Sequence, residues 1–170
     1  MKKRLILSLV LMATMALVPL SMAQSGVLAV PVTGTFTDTS GGIGHFVGSF
    51  NIQNFVTSGS GAIVAVGTLV GTLTNSTGAL VGTITRGQLT LPITIPSASC
   101  SILNLTLGPL DVNLLGLVVH LNQVHLTITA QSGPGNLLGN LLCAIANLLN
   151  GGTPDLGVLT TLLNRILLAL

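Results

Sequence analysis

Two of the chain's three histidines, His120 and His125, stand five residues apart in the stretch VVHLNQVHLT. Paired imidazoles are the raw material of a metal site or a proton relay. On one continuous strand they point to opposite faces, because side chains alternate with a period of two. If Asn122 and Gln123 instead form a two-residue hairpin turn, Leu121 opposes Val124 and His120 directly opposes His125. That turn lacks the glycine such hairpins favour, so the residues leave both arrangements open. Even as a pair they are half a site. Zinc takes three or four protein ligands, and the remaining candidates, Asp111 and His45, have no reason in the sequence to converge there. The expectation is a cross-strand histidine pair without tight metal binding, and no cofactor.

Other catalytic chemistry is thinly supplied. Beyond residue 4 the chain holds three Asp, no Glu and no Lys. A Ser, His and Asp triad assembles in space rather than in sequence, so a hydrolase stays as a third reading. Yet there is no GxSxG elbow, HExxH helix, CxxC pair or P-loop. GGIGH at 41–45 precedes a strand instead of opening a helix, which removes it as a phosphate-binding loop and makes His45 a strand-edge residue.

Residues 1–23 read as a secretory signal peptide: Lys2, Lys3 and Arg4, an apolar run from Leu5 to about Leu20, then Ser21, Met22 and Ala23 as the cleavage site. Cutting after Ala23 removes three of the five basic residues and leaves Arg86 and Arg165 against Asp38, Asp111 and Asp155, a net charge of minus one. The mature chain therefore has no basic patch for nucleic acid, and with four Phe and no Trp or Tyr it lacks stacking platforms for bases. Its polarity comes from Thr, Ser, Asn and Gln, which makes a neutral, weakly hydrated surface suited to self-association or contact with an envelope or matrix. The two cysteines, Cys100 and Cys143, make one disulfide in an exported chain.

The frame for these residues is one domain, 24–170. From 24 to 95 the chain is rich in Gly, Thr and Val, with strands expected near Val32–Thr37, His45–Val56, Ala62–Thr74, Leu80–Thr85 and Gln88–Ile95. The turn signals DTSGG, TSGSG, NSTG and RG separate them, too short for crossover helices, so the sheet is antiparallel. A VGSF, VGTL, VGTI motif recurs, and glycines inside strands favour sharp curvature or close packing over a ligand laid on bare backbone. From 100 to 130 the strands are leucine-rich, and their apolar phase slips twice: next to Gly116, read as a β-bulge, and at Asn122 and Gln123. From 136 to 169 the period switches to two helices, the first capped by Asn136 and stopped by Asn150, Gly151 and Gly152, the second starting at about Asp155. Both are too short to span a membrane, so their leucines face the sheet. The fold class is mainly β with C-terminal helices (α+β): a curved antiparallel sheet, sandwich or barrel, packed by two leucine-rich helices.

The run from Cys100 to Asn150 resembles a group of uncharacterised secreted bacterial proteins that share the LNLTLGPL, LLGLVV and GPGNLLGNLLC pattern, and the FxGSFxIxxF and VGTLxGTL texture of the first half is similar to theirs. The resemblance implies a shared framework that includes the two cysteines and the GPG break, and no activity. The sequence thus points first to a secreted or periplasmic non-enzymatic protein acting through its surface. A carrier of a small apolar or lipid-like ligand in a β-barrel comes second.

Overall fold

The computed structural model describes residues 26–114 and 116–170. The expected signal peptide, residues 1–23, with its expected cleavage site, and Leu115 lie outside the described residues. The chain is mainly β with two C-terminal helices. Its eight strands are β1 Leu28–Thr37, β2 Ile43–Thr57, β3 Ile63–Thr74, β4 Leu80–Ala98, β5 Ile102–Leu107, β6 Leu110–Leu114, β7 Leu117–Leu121 and β8 Val124–Thr129, followed by α1 Leu137–Asn150 and α2 Leu156–Ala169. They form one antiparallel curled sheet, a half-barrel in the order β6-β7-β1-β2-β3-β4-β5-β8.

The first four strands are a meander joined by three loops of one construction. In Asp38–Gly42, Ser58–Ala62 and Asn75–Ala79 the first N–H donates to the fifth carbonyl, and the N–H of the fourth residue to the first carbonyl. That fourth residue is Gly41, Gly61 or Gly78, with φ of 81°, 76° and 84°, a region open to glycine at no steric cost. The first side chain of each loop accepts a bond from the N–H four residues on: Gly42 to Asp38, Ala62 to Ser58, Ala79 to Asn75. Three turn signals thus make turns for a shared reason. The fourth, RG, does not. Strand β4 runs unbroken through Arg86 and Gly87, and the register against β3 slips between Gly67 and Leu69, with Gln88 at φ 52°. Two expected strands are one bulged strand, because a bulge uses the same residues as a turn without reversing the chain.

The slips further on are also resolved differently. Leu114 pairs Leu117, so the break next to Gly116 is a hairpin turn and not a bulge. Leu107 opposes Val124 and Leu110 opposes Leu121 in one unbroken register. Strands β5 to β8 therefore form a single long hairpin arm, turned next to Gly116, with Gly108 and Pro109 facing Asn122 and Gln123 at a break in its middle. The inner half of the arm adds to β4 through β5, and the outer half to β1 through the pairs Gly34↔Leu121 and Thr35↔His120. Asn122 extends the second junction, its N–H donating to the Thr33 carbonyl and its amide to the Thr33 hydroxyl, both at 2.9 Å. The arm so bridges the two ends of the meander.

One core fills the interior, from Val30 and Phe46 through Leu103 and Leu121 to Leu142 and Leu163. All four phenylalanines are buried, and three have rings lying on strand glycines: Phe36 on Gly44, Phe46 on Gly48 and Gly71, Phe50 on Gly67. Gly48 and Gly71 pair directly across β2 and β3, so one ring covers both bare backbones. Of the repeated glycines, Gly48, Gly67 and Gly71 serve tight internal packing.

Helix α2 lies against β2. Asp155 caps it, its Oδ1 accepting from the Gly157 and Val158 N–H groups at 2.8 and 3.2 Å. Leu159, Leu163, Ile166 and Leu167 are buried, while Leu162 is only partly so. Strand β2 runs past the start of β1, and Asn164 occupies the edge left open there: its Oδ1 accepts from the Phe55 N–H at 2.7 Å and its Nδ2 donates to the Phe55 carbonyl at 2.9 Å. In α1, Leu141, Leu142 and Ile145 are buried, and Leu137, expected on the inner face, is 63% exposed. Asn136 stands at the cap position but its side chain makes no capping bond. The Asn140 amide instead clamps the N–H and carbonyl of Gly133 across the GPG break. Cys100 and Cys143 are joined, Sγ to Sγ at 2.02 Å, which ties the corner between β4 and β5 to α1.

Candidate functional site

His120 and His125 do not meet. Strands β7 and β8 both belong to one side of the hairpin arm and are not partners, so the turn at Asn122 and Gln123 does not exist. His125 opposes Thr106 on β5, and its Nδ1 lies 3.2 Å from the Thr106 hydroxyl. His120 opposes Asp111 on β6, with Nδ1 and Oδ1 2.6 Å apart. On its other side it opposes Thr35, and Thr35 in turn opposes His45 on β2. One row across the outer face therefore reads Asp111, His120, Thr35, His45, Thr74, carried by five neighbouring strands.

A carboxylate accepting from Nδ1–H fixes the tautomer and leaves Nε2 to act as base or metal ligand. Here both side chains are largely in solvent, 56% exposed for His120 and 66% for Asp111. An exposed pair of this kind contributes little to stability. His45 stands two strand spacings from His120, roughly 10 Å between backbones. Among the described residues no three His, Cys, Asp or Glu side chains are grouped to hold a metal ion.

A second polar cluster sits at the end of the half-barrel that carries the β1–β2 and β3–β4 loops. Asp38 accepts five bonds: from the Ser40 hydroxyl at 2.6 Å and N–H at 2.9 Å, the Gly42 N–H at 2.9 Å, and the Ser76 N–H at 2.9 Å and hydroxyl at 2.6 Å. The Ser40 hydroxyl foremost, then the Ser76 hydroxyl and N–H, hold its carboxyl well below the usual carboxylate range. The cluster is a tie between loops, and its carboxylate is saturated by the protein itself. Beside it a depression of about 180 Å³ is lined by Phe36, Thr39, Asn75, Val81 and Leu117 among others.

An open, apolar cleft of about 220 Å³ lies among Ile63, Ile93, Ile95, Leu149, Leu156 and Leu159. Where the barrel strands meet α2, the void among Leu28, Phe55, Leu105, Ile128, Leu163 and Leu170 measures about 10 Å³. Roomier depressions of about 430 and 440 Å³ lie open on the flanks of α1 and α2.

The outer face of the meander is the other feature. Its rows are Thr33, Val47, Thr72, Thr83; then Ser49, Val70, Thr85; and Thr35, His45, Thr74, Leu80. Ile43, Val47 and Leu80 are 65%, 60% and 67% exposed. Thr72 and Thr74 direct their hydroxyls to the carbonyls of Val47 and His45 at 3.5 and 3.4 Å. The first two of these rows hold no carboxylate, ammonium or guanidinium, while the third continues across β1 to His120 and Asp111.

No family model matches the chain, and neither a curated protein nor a solved structure does.

Proposed function

We propose that the chain is an exported, non-enzymatic protein that works through its surface, in binding or assembly in the cell envelope or outside the cell. The observation that carries this reading is the contrast between the two faces of the meander. The inner face is filled by Phe36, Phe46, Phe50 and the core leucines, while the outer face carries threonines and exposed aliphatic side chains, its one carboxylate, Asp111, standing out on β6. Aliphatic side chains exposed among threonines give this face a weakly hydrated surface on which a partner can settle. The basic and apolar N-terminal segment and the joined Cys100 and Cys143 support export to an oxidising compartment. The carrier reading is weaker, since a drug-sized ligand needs several hundred Å³ of enclosed space.

Two measurements on the purified mature protein test this. Solvent extraction followed by mass spectrometry is expected to find no stoichiometric lipid, and a recovered lipid would move the carrier reading ahead. Retention on a mildly apolar resin is expected for the wild type and lost in Val47→Asp; equal retention of both would remove the outer face from the argument.

A further inference from the structure

We infer that the tip of the fold where the chain enters β1 and α2 finishes is a bilayer-contact surface, by which the exported protein rests against phospholipid; this rests on the export reading above. Gly26 lies on the last turn of α2, so close that a Cβ there would run into the Leu167 carbonyl. Val27 follows it, 53% exposed, and Leu168 and Leu170 are 67% and 59% exposed. Leu170 also lines the small void beside Leu28, so the three exposed aliphatic side chains stand at one end of the molecule. Among the described residues no helix is long and apolar enough to cross a membrane, and the contact these three side chains make is peripheral.

What meets this tip follows from the chain that leads into it. The apolar run ends at about Leu20, and the six residues from there to Gly26 span at most about 20 Å when extended. While that run lies in a membrane, the tip is held at the membrane's surface, and the expected cut after Ala23 falls in the same short tether. Charge agrees with a lipid partner. Arg165 is exposed and stands three residues before Leu168 on α2, on the same side of the helix. The carboxylates lie elsewhere. Asp155 is at the opposite end of α2, about 20 Å away, and Asp38 is past the far end of β1, about 30 Å away. Asp111 is reached through His120 from Thr35, well up β1. The tip therefore combines aliphatic side chains that enter the acyl boundary with a guanidinium at the height of the headgroups, which is how an anionic bilayer surface is bound reversibly.

Flotation of the mature protein with extruded vesicles tests this. Vesicles of phosphatidylcholine mixed with phosphatidylglycerol are expected to carry the protein upward at about 0.1 M salt, and vesicles of phosphatidylcholine alone to carry less. Leu168→Asp combined with Leu170→Asp should lower partition onto the vesicles at least about tenfold, and Arg165→Ala about fivefold on the anionic vesicles only. Thermal unfolding checks the fold of each variant, and Val27→Asp, outside the helix, should repeat the loss if the leucine double unfolds. Val47→Asp, on the outer face of the meander, should float as the wild type does. Protein left at the bottom with both vesicles, flotation indifferent to the tip variants, or a tip that drives self-association without vesicle binding overturns the inference. If vesicles are ignored while retention on apolar resin still depends on Val47, surface binding stands and only the lipid partner falls; a chain recovered uncut inside the cell defeats the export reading and this inference with it.

Discussion

The motif VGT occurs at Val66–Thr68, Val70–Thr72 and Val81–Thr83, and the structure gives the glycines of the last two copies opposite roles. A Cβ added at Gly71 would lie 2.5 and 2.6 Å from atoms of the Phe46 ring and 2.6 Å from the Val47 carbonyl oxygen. The ring cannot retreat: Phe46 is fully buried, and it also rests on Gly48, whose own Cβ would come within 2.8 Å of it. The carbonyl belongs to the β2–β3 ladder and moves only with the strand. Gly71→Ala is therefore overpacking in a rigid place, which costs about 1–3 kcal/mol, here toward the upper end. At Gly82 nothing stands within 4 Å of the added atom, and the same substitution removes unfolded-state freedom, a gain of about 0.4–1 kcal/mol. For a domain of this size each kcal/mol moves the Tm by about 3–4 °C, so Gly71→Ala should lose roughly 5–10 °C while Gly82→Ala holds or gains slightly. Thermal unfolding followed by circular dichroism reads both. Combining Gly71→Ala with Phe46→Leu should destabilise by less than the two changes added, with a coupling of about 1 kcal/mol or more. Equal Tm values for the two alanine variants, or strict additivity in the double, would refute the idea that aromatic rings set the glycine pattern.

Asn164→Ala strands the N–H and carbonyl of the buried Phe55 and should lose about 2–4 kcal/mol, seen as earlier urea unfolding and faster hydrogen exchange in α2; a loss below about 0.5 kcal/mol would mean water replaces the clamp. Cys143→Ala opens a link spanning 43 residues, for which the chain-entropy model gives about 4 kcal/mol; peptide mapping of the exported protein under non-reducing conditions should recover the linked pair, and two free thiols would contradict it. Asp38 has its carboxyl held low in the folded state, so its contribution is present above the ordinary carboxylate range and fades as acidity drives the pH below about 4; Asp38→Asn should flatten the acid limb of the stability curve, and an unchanged limb would assign acid sensitivity elsewhere. Zinc titration by calorimetry should show no stoichiometric micromolar binding; binding that disappears in His120→Ala would bring the Asp111 row forward as a metal site.

Local chemistry was legible in the sequence wherever it was sufficient by itself. The loops at Asp38, Ser58 and Asn75 carry their own hydrogen-bond acceptors and a glycine in the right place, and Asp155 supplies its own cap, so those boundaries follow from a few residues. The cysteine pair follows from there being no third. What failed was pairing. Gly87 and Gly116 look alike as punctuation, yet the first sits in a bulge and the second in a hairpin turn, a difference decided by which strand lies alongside. Reading the turn at Gly116 would have placed Asp111 against His120 at once; reading it at Asn122 sent His120 toward the wrong partner. Asn140 and Asn164 were invisible as clamps, because an amide on a helix declares nothing about the backbone it will reach.

The hairpin arm has a consequence for how the chain matures. The first four strands can pair in the order they are made, each with its immediate predecessor, but β1 keeps one edge bare until Asn122 reaches Thr33, a contact spanning 89 residues. Contacts of such separation are slow to form, and a bare edge meanwhile recruits other chains. A chain threaded across a membrane from its N-terminus delivers the arm and both helices last. On the export reading proposed above, the period of greatest exposure to aggregation is set by the rate of translocation, and a holding chaperone on the far side would find its substrate in the half-emerged meander.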